Sequence, residues 1–371
     1  MAHKPNNERY QRQVSLQEFG EIGQQKLQHA KILVVGAGGL GCPALQYLTG
    51  AGIGTIGIVD HDIISLSNLH RQTLYSNDDV GLSKANRAAE ILTALNPEIE
   101  ILTYNQYLNT ENAIEIIKPF DYVLDGTDNF ASRYLINDAC VLLNKTLIYG
   151  AISKFEGQLA VFNHRTSNET PANYRDLFPS PPGDDEILNC EEAGVLGVLP
   201  GIIGTMMASE AIKLIAGIGK PLINMVLNYN LFTNQIYTLS LQANPETRAL
   251  IPDTTTEFQK KNYRWTCSEA DKYQIDLEFF NKLLDNPEVN FIDIRELQER
   301  PSINEFNCRR LPMSNFKNNM DSINAETIVL LCQSGTRSLN AAKILSDYYN
   351  ESKKVYSLEG GVLAWKNLNK K

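Results

Sequence analysis

Residues 31–61 decide the fold of this chain, and they read KILVVGAGGLGCPALQYLTGAGIGTIGIVDH. A short apolar run leads into a glycine cluster, a helical stretch follows, and a second apolar run ends at Asp60. This order predicts a strand, a helix and a second strand that is parallel to the first. The chain therefore begins its main sheet in the manner of an α/β protein.

The segments that follow continue this pattern. Buried strands are predicted at residues 99–104, 122–125 and 146–150, and helices at residues 84–95 and 133–143. Apolar alternation at residues 157–164 and 235–241 predicts antiparallel strands that are added later. We therefore predict a Rossmann-like, doubly wound α/β domain with antiparallel additions.

A polar stretch divides the 371 residues into two predicted domains. Residues 249–271 include three consecutive threonines and have no clear hydrophobic period, so we predict a linker there. Residues 1–248 are then the first domain. Residues 272–371 show helix, strand, strand, helix and strand in that order, and about 100 residues suffice for a small α/β domain.

Composition and charge exclude several classes of protein. The chain is 43% hydrophobic and 21% charged, which is typical of globular proteins. Its net charge of -9 supplies no broad cationic surface, so no nucleic-acid partner is expected. The six cysteines form no CxxC pair, which favours a reducing, cytoplasmic location. The apolar run at residues 193–209 is shorter than the roughly 20 residues needed to span a bilayer, so no membrane is expected.

The glycine cluster predicts a nucleotide site. It contributes four glycines, Gly36, Gly38, Gly39 and Gly41. They follow a strand and open a helix, where backbone amides can approach a phosphate. Asp60 ends the next strand 24 residues after Gly36 and can accept hydrogen bonds from ribose hydroxyls. These features alone are equally typical of a dehydrogenase, and a tight turn beside a surface aspartate is the alternative without function.

The charged residues that follow favour a polyphosphate over a dinucleotide. Arg71 and Lys84 can neutralise the charge of β- and γ-phosphates. Asp128, in an acidic loop followed by Arg133, can hold a Mg²⁺ that bridges phosphates. Each of these charges taken singly could be a solvated surface group. Together they predict a site at the carboxyl ends of the strands.

Six motifs of the first domain occur in an order that points to one family. They read RYQRQ, VVGAGGLGCP, VDHDIISLSNLHRQ, GLSK, DGTDNFASRYLIND and CEEAGVLGVLPGIIG. In this order they resemble the ubiquitin-activating-like MoeB/ThiF/HesA adenylyltransferases, across residues 8–248. The resemblance implies ATP-dependent adenylation of the C-terminal Gly-Gly carboxylate of a small ubiquitin-like sulfur carrier, with release of pyrophosphate.

The same resemblance implies roles for individual residues. By matching position, the nucleotide-binding residues are Asp60 for the ribose, Asn68, Arg71 and Lys84 for the phosphates, and Asp128 for the Mg²⁺. Arg12 matches an arginine that reaches into the partner's nucleotide site, which implies a homodimer. Cys190 matches a cysteine that in some members forms a thioester or acyl disulfide with the carrier. Its neighbours Glu191 and Glu192 disfavour a thiolate, and an inert small hydrophobe is the alternative.

The chain departs from the family where many members bind zinc. The first zinc CxxC of those members precedes a Leu-Phe-Pro sequence, and here the corresponding residues 173–176 read NYRD. The second CxxC is also absent near residues 244–250. Neither asparagine nor a lone aspartate replaces the soft thiolates that zinc prefers, so no structural zinc is predicted.

The second domain carries three motifs that resemble a single rhodanese domain. They are FIDIRE at residues 291–296, CQSGTR at residues 332–337 and LEGGVLAW at residues 358–365. Cys332 ends an apolar strand and its loop opens a helix, so backbone amides there are expected to lower the thiol pKa and stabilise a persulfide. Arg337 is expected to add a fixed positive charge, whereas Cys267 and Cys308 lack this setting. A buried structural cysteine is the alternative.

Together the two resemblances predict a cytoplasmic enzyme that fuses an adenylyltransferase to a sulfurtransferase. It is expected to use ATP, Mg²⁺ and an upstream persulfide donor to convert the carrier's C-terminus to a thiocarboxylate. The expected carrier is the small subunit of molybdopterin synthase, and the thiamine-pathway carrier is the alternative. An NAD(P)-dependent oxidoreductase and a non-catalytic scaffold are alternatives from other classes.

Overall fold

The chain forms two compact units, Met1–Tyr263 and Arg264–Lys371. The computed structural model describes residues 7–167, 170–180, 194–263, 273–284, 286–350 and 352–368. The boundary between the units falls inside the predicted linker, residues 249–271.

Helices and strands alternate through the first half of unit 1. Its helices are α1 (Asn7–Val14), α2 (Gly20–His29), α3 (Gly41–Ala51), α4 (Lys84–Leu95), α5 (Ala113–Ile117), α6 (Phe130–Leu143), α7 (Tyr174–Leu177), α8 (Val198–Ala216), α9 (Pro245–Arg248) and α10 (Thr255–Lys260). Its strands are β1 (Lys31–Val35), β2 (Thr55–Val59), β3 (Glu100–Tyr104), β4 (Tyr122–Asp125), β5 (Thr146–Ser153), β6 (Glu156–Phe162), β7 (Met225–Asn230) and β8 (Gln235–Ser240).

The strands of unit 1 form one eight-stranded sheet in the order β3-β2-β1-β4-β5-β6-β7-β8. The pairs from β3 to β5 are parallel, and the pairs from β5 to β8 are antiparallel. The predicted doubly wound sheet with antiparallel additions is thereby confirmed. Because β1 is buried between β2 and β4, the glycine cluster at its end lies in the middle of the sheet edge.

Helix α6 begins earlier than its apolar period predicts. The prediction covers residues 133–143, whereas the helix starts at Phe130. Asn129 caps it, since the side-chain Oδ1 accepts a hydrogen bond from the backbone amide of Ser132 at 2.9 Å. The acidic loop is therefore confined to residues 125–129, directly between β4 and the capped end of this helix.

Residues 249–263 of the predicted linker are folded as part of unit 1. Helix α10 carries a capping box formed by Thr254 and Glu257, and Phe258 is fully buried. Tyr263 donates a hydrogen bond from its hydroxyl to Asp138 Oδ2 at 2.8 Å. The prediction of a linker was wrong for these residues, because one buried aromatic on a six-residue helix produces no detectable hydrophobic period.

Helix α8 begins inside the apolar run at residues 193–209. By length and composition it could cross a bilayer, but half of its apolar window is buried inside unit 1. It contacts α3, β5 and β6, and Leu199, Ile203 and Met207 belong to the main core cluster. Its apolar character is accounted for in large part by this packing.

Unit 2 is built on a five-stranded sheet in the order β11-β10-β12-β13-β9, with every pair parallel. Its elements are β9 (Gln274–Ile275), α11 (Leu277–Leu284), β10 (Val289–Asp293), β11 (Arg309–Arg310), α12 (Met313–Phe316), β12 (Thr327–Leu331), α13 (Thr336–Tyr348), β13 (Lys354–Leu358) and α14 (Gly361–Leu368). The predicted small α/β domain is confirmed. Cys332 follows the central strand β12 and precedes α13, as its motif predicts.

Candidate active sites

The glycine loop of unit 1 lies at the switch point of the sheet. It joins β1 to α3, and the strand on the other side of the switch, β4, leads into the acidic loop, residues 125–129. Doubly wound sheets bind ligands in the crevice at such a point. The two loops predicted to hold the nucleotide therefore border the same crevice.

Two glycines of the loop are required by close backbone contacts. Gly36 has a φ of +94°, and a Cβ built on it would lie 2.9 Å from the carbonyl oxygen of Gly126. A Cβ on Gly41 would lie 1.9 Å from the carbonyl oxygen of Gly36. A side chain at Gly36 would force the β1 and β4 loops apart, and one at Gly41 would push the start of α3 away from the end of β1.

The other two glycines bring the loop beside Arg71 and Gln72. A Cβ on Gly39 would lie 3.6 Å from Cγ of Arg71, and a Cβ on Gly38 would lie 3.6 Å from Nε2 of Gln72. Gln72 is 3% exposed, and its Oε1 has no hydrogen-bond partner among the described residues. Burying an amide oxygen without a hydrogen-bond donor costs free energy. Oε1 of Gln72 is therefore available to accept a hydrogen bond from a ligand. The prediction omitted Gln72, whose only sequence signal is its place directly after Arg71.

The Asp60 carboxylate connects the end of β2 to the glycine loop. Its Oδ2 accepts a hydrogen bond from the Ala37 amide at 2.7 Å, and its Oδ1 accepts one from the Asp62 amide at 2.8 Å. Burial raises the pKa of Asp60, and the charge of Lys84 opposes this rise. A carboxylate offers about four acceptor positions, so two remain for ribose hydroxyls.

Lys84 is a buried cation that pairs with Asp62, a carboxylate that no motif predicted as its partner. It is the first residue of α4, and its Nζ lies 2.8 Å from Oδ2 of Asp62. The Lys84 amide also donates to the Asp62 carbonyl at 3.0 Å. The lysine side chain is only 7% exposed, so water screens its attraction to Asp62 only weakly.

Asn68 and Arg71 lie on one turn. Asn68 closes the short helix Leu66–Asn68, and its Oδ1 accepts from the Ser65 amide at 3.3 Å. Nη1 of Arg71 donates to the Ser67 carbonyl at 3.1 Å and lies 2.8 Å from Nε2 of His70. Within the described part of the chain no carboxylate pairs with Arg71. The Arg71 side chain thus passes beside the glycine loop with its Cγ, and its guanidinium has no carboxylate partner among the described residues.

The acidic loop contains one buried and one exposed aspartate. Oδ1 of Asp125 accepts from the amide and the hydroxyl of Thr127, at 2.9 and 2.6 Å. Burial raises the pKa of Asp125, and the Arg133 charge opposes this rise. Asp128, the predicted Mg²⁺ ligand, is exposed. Asp125 therefore shapes the loop, whereas Asp128 can reach a ligand.

The donor chemistry of this loop fits a magnesium ion. Mg²⁺ prefers oxygen ligands and binds through one or two carboxylates together with substrate phosphates. Asp128 would supply the protein carboxylate. The ion would neutralise phosphate charge and polarise the departing pyrophosphate.

Two predicted site residues are not brought into the crevice by the described structure. Arg12 is exposed on α1, a helix fixed by the buried Tyr10, whose hydroxyl accepts a hydrogen bond from Asn96 Nδ2 at 2.9 Å. Arg12 thus faces solvent from an anchored helix. Cys190 lies outside the described residues, as do Glu191 and Glu192.

Residues 332–337 of unit 2, here called the sulfur loop, surround a buried thiol. Cys332 is fully buried, and its Sγ accepts from the Gly335 amide at 3.2 Å and from the Ser338 hydroxyl at 3.3 Å. Gly335 has a φ of +93°. The loop therefore directs backbone and hydroxyl donors at the sulfur, which is the arrangement that stabilises negative charge there.

The predicted Gly-Gly motif packs against this loop. A Cβ built on Gly361 would lie 2.5 Å from the Cys332 carbonyl oxygen and 2.6 Å from the Gly335 nitrogen. The Val362 amide donates to the Cys332 carbonyl at 2.9 Å. The start of α14 thereby fixes the loop conformation, although it is 29 residues away in sequence from Cys332.

Arg337 is paired with a carboxylate, whereas the sequence predicted an unpaired positive charge beside the sulfur. Its Nη1 and Nη2 lie 2.8 and 2.6 Å from the two carboxylate oxygens of Glu299. Glu299 was not predicted, since it lies 38 residues from Arg337 in a segment without a motif. The positive charge at this end of the loop is matched by a negative one.

Two family models match this chain. The ThiF family model matches residues 10–249, and the rhodanese-like domain model matches residues 276–368. The chain is 46% identical over 265 residues to the sulfur carrier protein adenylyltransferase of Thermus thermophilus, which covers 71% of this chain and 97% of that protein. It is 36% identical over 367 residues to the probable adenylyltransferase/sulfurtransferase MoeZ of Mycobacterium tuberculosis, covering 96% and 92% of the two chains.

A solved structure shares the fold of unit 1. The crystal structure of E. coli MccB with MccA-N7isoASN matches with a TM-score of 0.57 and 21% identity, and covers 66% of this chain and 74% of that one. At this identity the match concerns the fold alone.

Proposed function

Because this chain belongs to the ThiF family and carries a rhodanese-like domain, we propose that it adenylates a ubiquitin-like sulfur carrier and supplies the carrier with sulfur. The observation that carries the proposal is that one chain holds two sites. One is the switch-point crevice beside Arg71, which has no carboxylate partner among the described residues, and the other is the cysteine loop whose donors contact Cys332 Sγ. A relative that spans both units is named as an adenylyltransferase/sulfurtransferase. The carrier to test first is the small subunit of molybdopterin synthase.

In the first step, the terminal carboxylate of the carrier attacks the α-phosphate of ATP, and pyrophosphate leaves with the electron pair of the broken bond. Asp60 holds the ribose through its two remaining acceptor positions. The charges of Arg71 and Lys84 stabilise the β- and γ-phosphates as negative charge grows on the leaving group. Asp128 would hold a Mg²⁺, which would supply positive charge for this departure.

In the second step, Cys332 carries the sulfur as a persulfide. Its terminal sulfur attacks the carbonyl carbon of the acyl-adenylate, AMP leaves, and the carrier is joined to Cys332 as an acyl disulfide. Attack of a second thiolate on the Cys332 sulfur breaks the S–S bond and releases the thiocarboxylate, leaving a disulfide that an external thiol reduces. The Gly335 amide and the Ser338 hydroxyl, which contact Sγ, stabilise the negative charge of the sulfur before transfer. We propose Cys190 as the second thiol of the pathway, whose thiolate would attack the Cys332 sulfur of the acyl disulfide and release the thiocarboxylate.

The direct test combines the full chain with ATP, Mg²⁺, a persulfide donor and purified carriers, and measures the intact mass of each carrier. The carrier that is the substrate is expected to exchange one C-terminal oxygen for sulfur. Conversion of the thiamine-pathway carrier alone would assign that substrate instead. Tight binding of NADH without ATP turnover would support an oxidoreductase, and binding of neither nucleotide would support a scaffold.

We further propose a homodimer whose nucleotide sites each receive Arg12 from the partner. Arg12 is exposed on an anchored helix, so a second copy can reach it. Arg12→Ala and Asp128→Ala are each expected to be inactive alone in carrier-dependent exchange of pyrophosphate into ATP. Mixed subunits should regain about a quarter of the activity, since in a random mixture half of the dimers hold one intact site out of two.

Subunit exchange is verified in that experiment with two different affinity tags. A mixture of Arg12→Ala with Arg12→Ala carrying the second tag serves as the control and should stay inactive. A monomer in solution, or exchanged subunits that fail to complement, would contradict the composite site.

A further inference from the structure

The sulfur loop carries one charged residue, Arg337, and a distant carboxylate binds it. Nη1 and Nη2 of Arg337 donate to Oε1 and Oε2 of Glu299, at 2.8 and 2.6 Å. This two-bond geometry is the strong form of an arginine–carboxylate pair. The side chains are 30% and 24% exposed, so water screens the pair only in part.

Glu299 is fixed in this position and charged. Its Oε1 also accepts a hydrogen bond from the Glu296 amide at 2.8 Å. Bonding to Arg337 holds the pKa of Glu299 below its usual range, so this carboxylate is ionised at neutral pH. The pair therefore persists under the conditions in which sulfur transfer takes place.

The other arginine beside the loop is also matched by a carboxylate. Arg295 is fully buried, and its Nε and Nη2 donate to the two oxygens of Asp293 at 2.9 Å. Its Nη1 donates to the Gln333 side chain of the loop at 3.0 Å. Arg337 is thus paired with Glu299, and Arg295 is paired with Asp293, which also lies 3.6 Å from Nε of Arg310.

We propose that Glu299 sets the sulfur-donor specificity of Cys332, an inference that rests on the proposed sulfur transfer. By neutralising Arg337, Glu299 removes the attraction that the loop would exert on the dianion thiosulfate. The favoured donor is then a persulfide, which carries at most one negative charge on its sulfane group. Glu299 is a positioning residue, since it acts through Arg337 and not on the reacting sulfur.

Both donors deliver the same sulfur atom to the same thiolate. With a persulfide RSSH, the Cys332 thiolate attacks the terminal sulfur, the donor S–S bond breaks, and the thiolate RS⁻ leaves while Cys332 keeps the persulfide. With thiosulfate, the thiolate attacks the sulfane sulfur, and sulfite leaves with the electron pair. No oxidant or reductant is needed in either reaction.

The test measures how fast Cys332 in the full chain gains one sulfur atom, by intact mass, at increasing concentrations of thiosulfate or of the persulfide of 2-mercaptoethanol. Glu299→Gln is expected to lower the half-saturating thiosulfate concentration about three- to tenfold, because it releases Arg337 from a partly exposed pair. The half-saturating persulfide concentration should change less than about twofold. In an Arg337→Gln background, Glu299→Gln should have no further effect.

Glu296→Gln is the matched control, because Glu296 lies on the same segment and bonds Ser314 through both carboxylate oxygens. It is expected to change neither donor's half-saturating concentration. An equal shift for both donors, or none with Glu299→Gln, would overturn the specificity role alone. A wild-type Cys332 that gains sulfur from neither donor would overturn the proposed sulfur transfer itself.

A second, independent observation concerns the position at which many related enzymes bind zinc. The segment directly before Leu177 carries Asn173 and Asp176 at the CxxC spacing, and the segment near residue 244 carries Asn244 and Thr247 at the same spacing. The structure brings all four residues together, at the starts of α7 and α9. The residues of one segment lie at least 68 residues in sequence from those of the other.

Four hydrogen-bond donors converge on the Asp176 carboxylate. Its Oδ2 accepts from the backbone amide and the side-chain Nδ2 of Asn173, both at 2.8 Å. Its Oδ1 accepts from the Asn244 amide at 3.0 Å and from the Thr247 hydroxyl. A carboxylate has about four acceptor positions, so none is left for a metal ion. Asparagine and threonine are also unsuited to structural zinc, and the residues present do not fit it.

We infer that this Asp176 clasp, formed by Asn173, Asp176, Asn244 and Thr247, replaces a metal in joining the two segments. A zinc site would join them by four thiolate bonds, whereas here one carboxylate receives hydrogen bonds from both sides. Asn173 and Thr247 are each 4% exposed, so the bonds are largely shielded from water.

Thermal unfolding of the full chain tests the clasp. A strong chelator should leave Tm unchanged, and Asp176→Ala should lower Tm by roughly 5 °C or more, because several buried donors lose their acceptor. Asp253→Ala is the matched control: Asp253 is 78% exposed and pairs with Arg248, so Tm should shift by about 1 °C or less.

A metal-binding variant provides the second readout. Replacing all four clasp residues with cysteine is expected to create a site that retains one zinc per chain in elemental analysis, with a Tm that chelation lowers. Stoichiometric zinc in the purified wild-type protein, together with a chelator-sensitive Tm, would overturn the inference. So would an Asp176→Ala variant as stable as the wild type.

Discussion

Replacing Cys332 with serine is expected to slow thiocarboxylate formation by about a thousandfold or more, while the rate of ATP–pyrophosphate exchange stays within about twofold of wild type. Serine preserves the size of the side chain and can still accept from the Gly335 amide and the Ser338 hydroxyl. Its oxygen cannot form the S–S bond that carries the sulfur. Adenylation needs no thiol, so the two steps should separate in this variant.

The measurement pairs the intact mass of the carrier with the exchange of labelled pyrophosphate into ATP. Cys308→Ser is the matched control in the same unit, because burial raises the pKa of Cys308 to about 12 and leaves it protonated at neutral pH. Thiocarboxylate formation should survive that substitution. Undiminished thiocarboxylate formation by Cys332→Ser, with this protein as the sole sulfurtransferase present, would remove Cys332 from the pathway.

Replacing Asp128 with alanine is expected to reduce carrier-dependent ATP–pyrophosphate exchange by about a hundred- to a thousandfold. Asp128 is exposed at the mouth of the crevice, and it supplies the carboxylate that we propose for the Mg²⁺. Without it, the charge that develops on the departing pyrophosphate is stabilised by Arg71 and Lys84 alone. Raising the Mg²⁺ concentration should restore part of the activity, because the ion also binds through the phosphates.

Asp121→Asn is the matched control for this prediction. Asp121 precedes β4, whereas Asp128 follows it, so the two exposed aspartates lie at opposite edges of the sheet. Asp121 accepts a hydrogen bond from the Lys31 amide, far from the carboxyl ends of the strands. Exchange should change less than about twofold in Asp121→Asn. Near-normal exchange in Asp128→Ala would reject the proposed nucleotide site.

Local patterns made most of the fold predictable. Helix α4 and strand β4 have the predicted bounds, since a helical period or a continuous apolar run identifies each of them. Helices α1 and α2 were not predicted. Helix α1 is a short, mostly polar helix held by the buried Tyr10, and a single anchor leaves no period in the sequence.

The candidate sites divide in the same way. Motifs supplied the residues that we propose to contact a ligand or carry chemistry, because glycine loops and strand-end carboxylates occur at fixed spacings. The partners that hold those residues were missed. Asp62 binds Lys84 from 22 residues away, and Glu299 binds Arg337 from 38 residues away. Neither carboxylate stands in a motif, so only the folded chain shows the pairing.

The sequence by itself determined the parallel sheet, the glycine loop at its centre and the cysteine at the end of β12, since each depends on residues that are neighbours along the chain. The tertiary structure decided which charges are compensated and how distant segments are joined. Arg71 has no carboxylate partner in the described residues whereas Arg337 has one, and Asp176 accepts hydrogen bonds from segments 68 and 71 residues away. Electrostatic and hydrogen-bond energies depend on distances in space, and those distances are set by the packing of the whole unit.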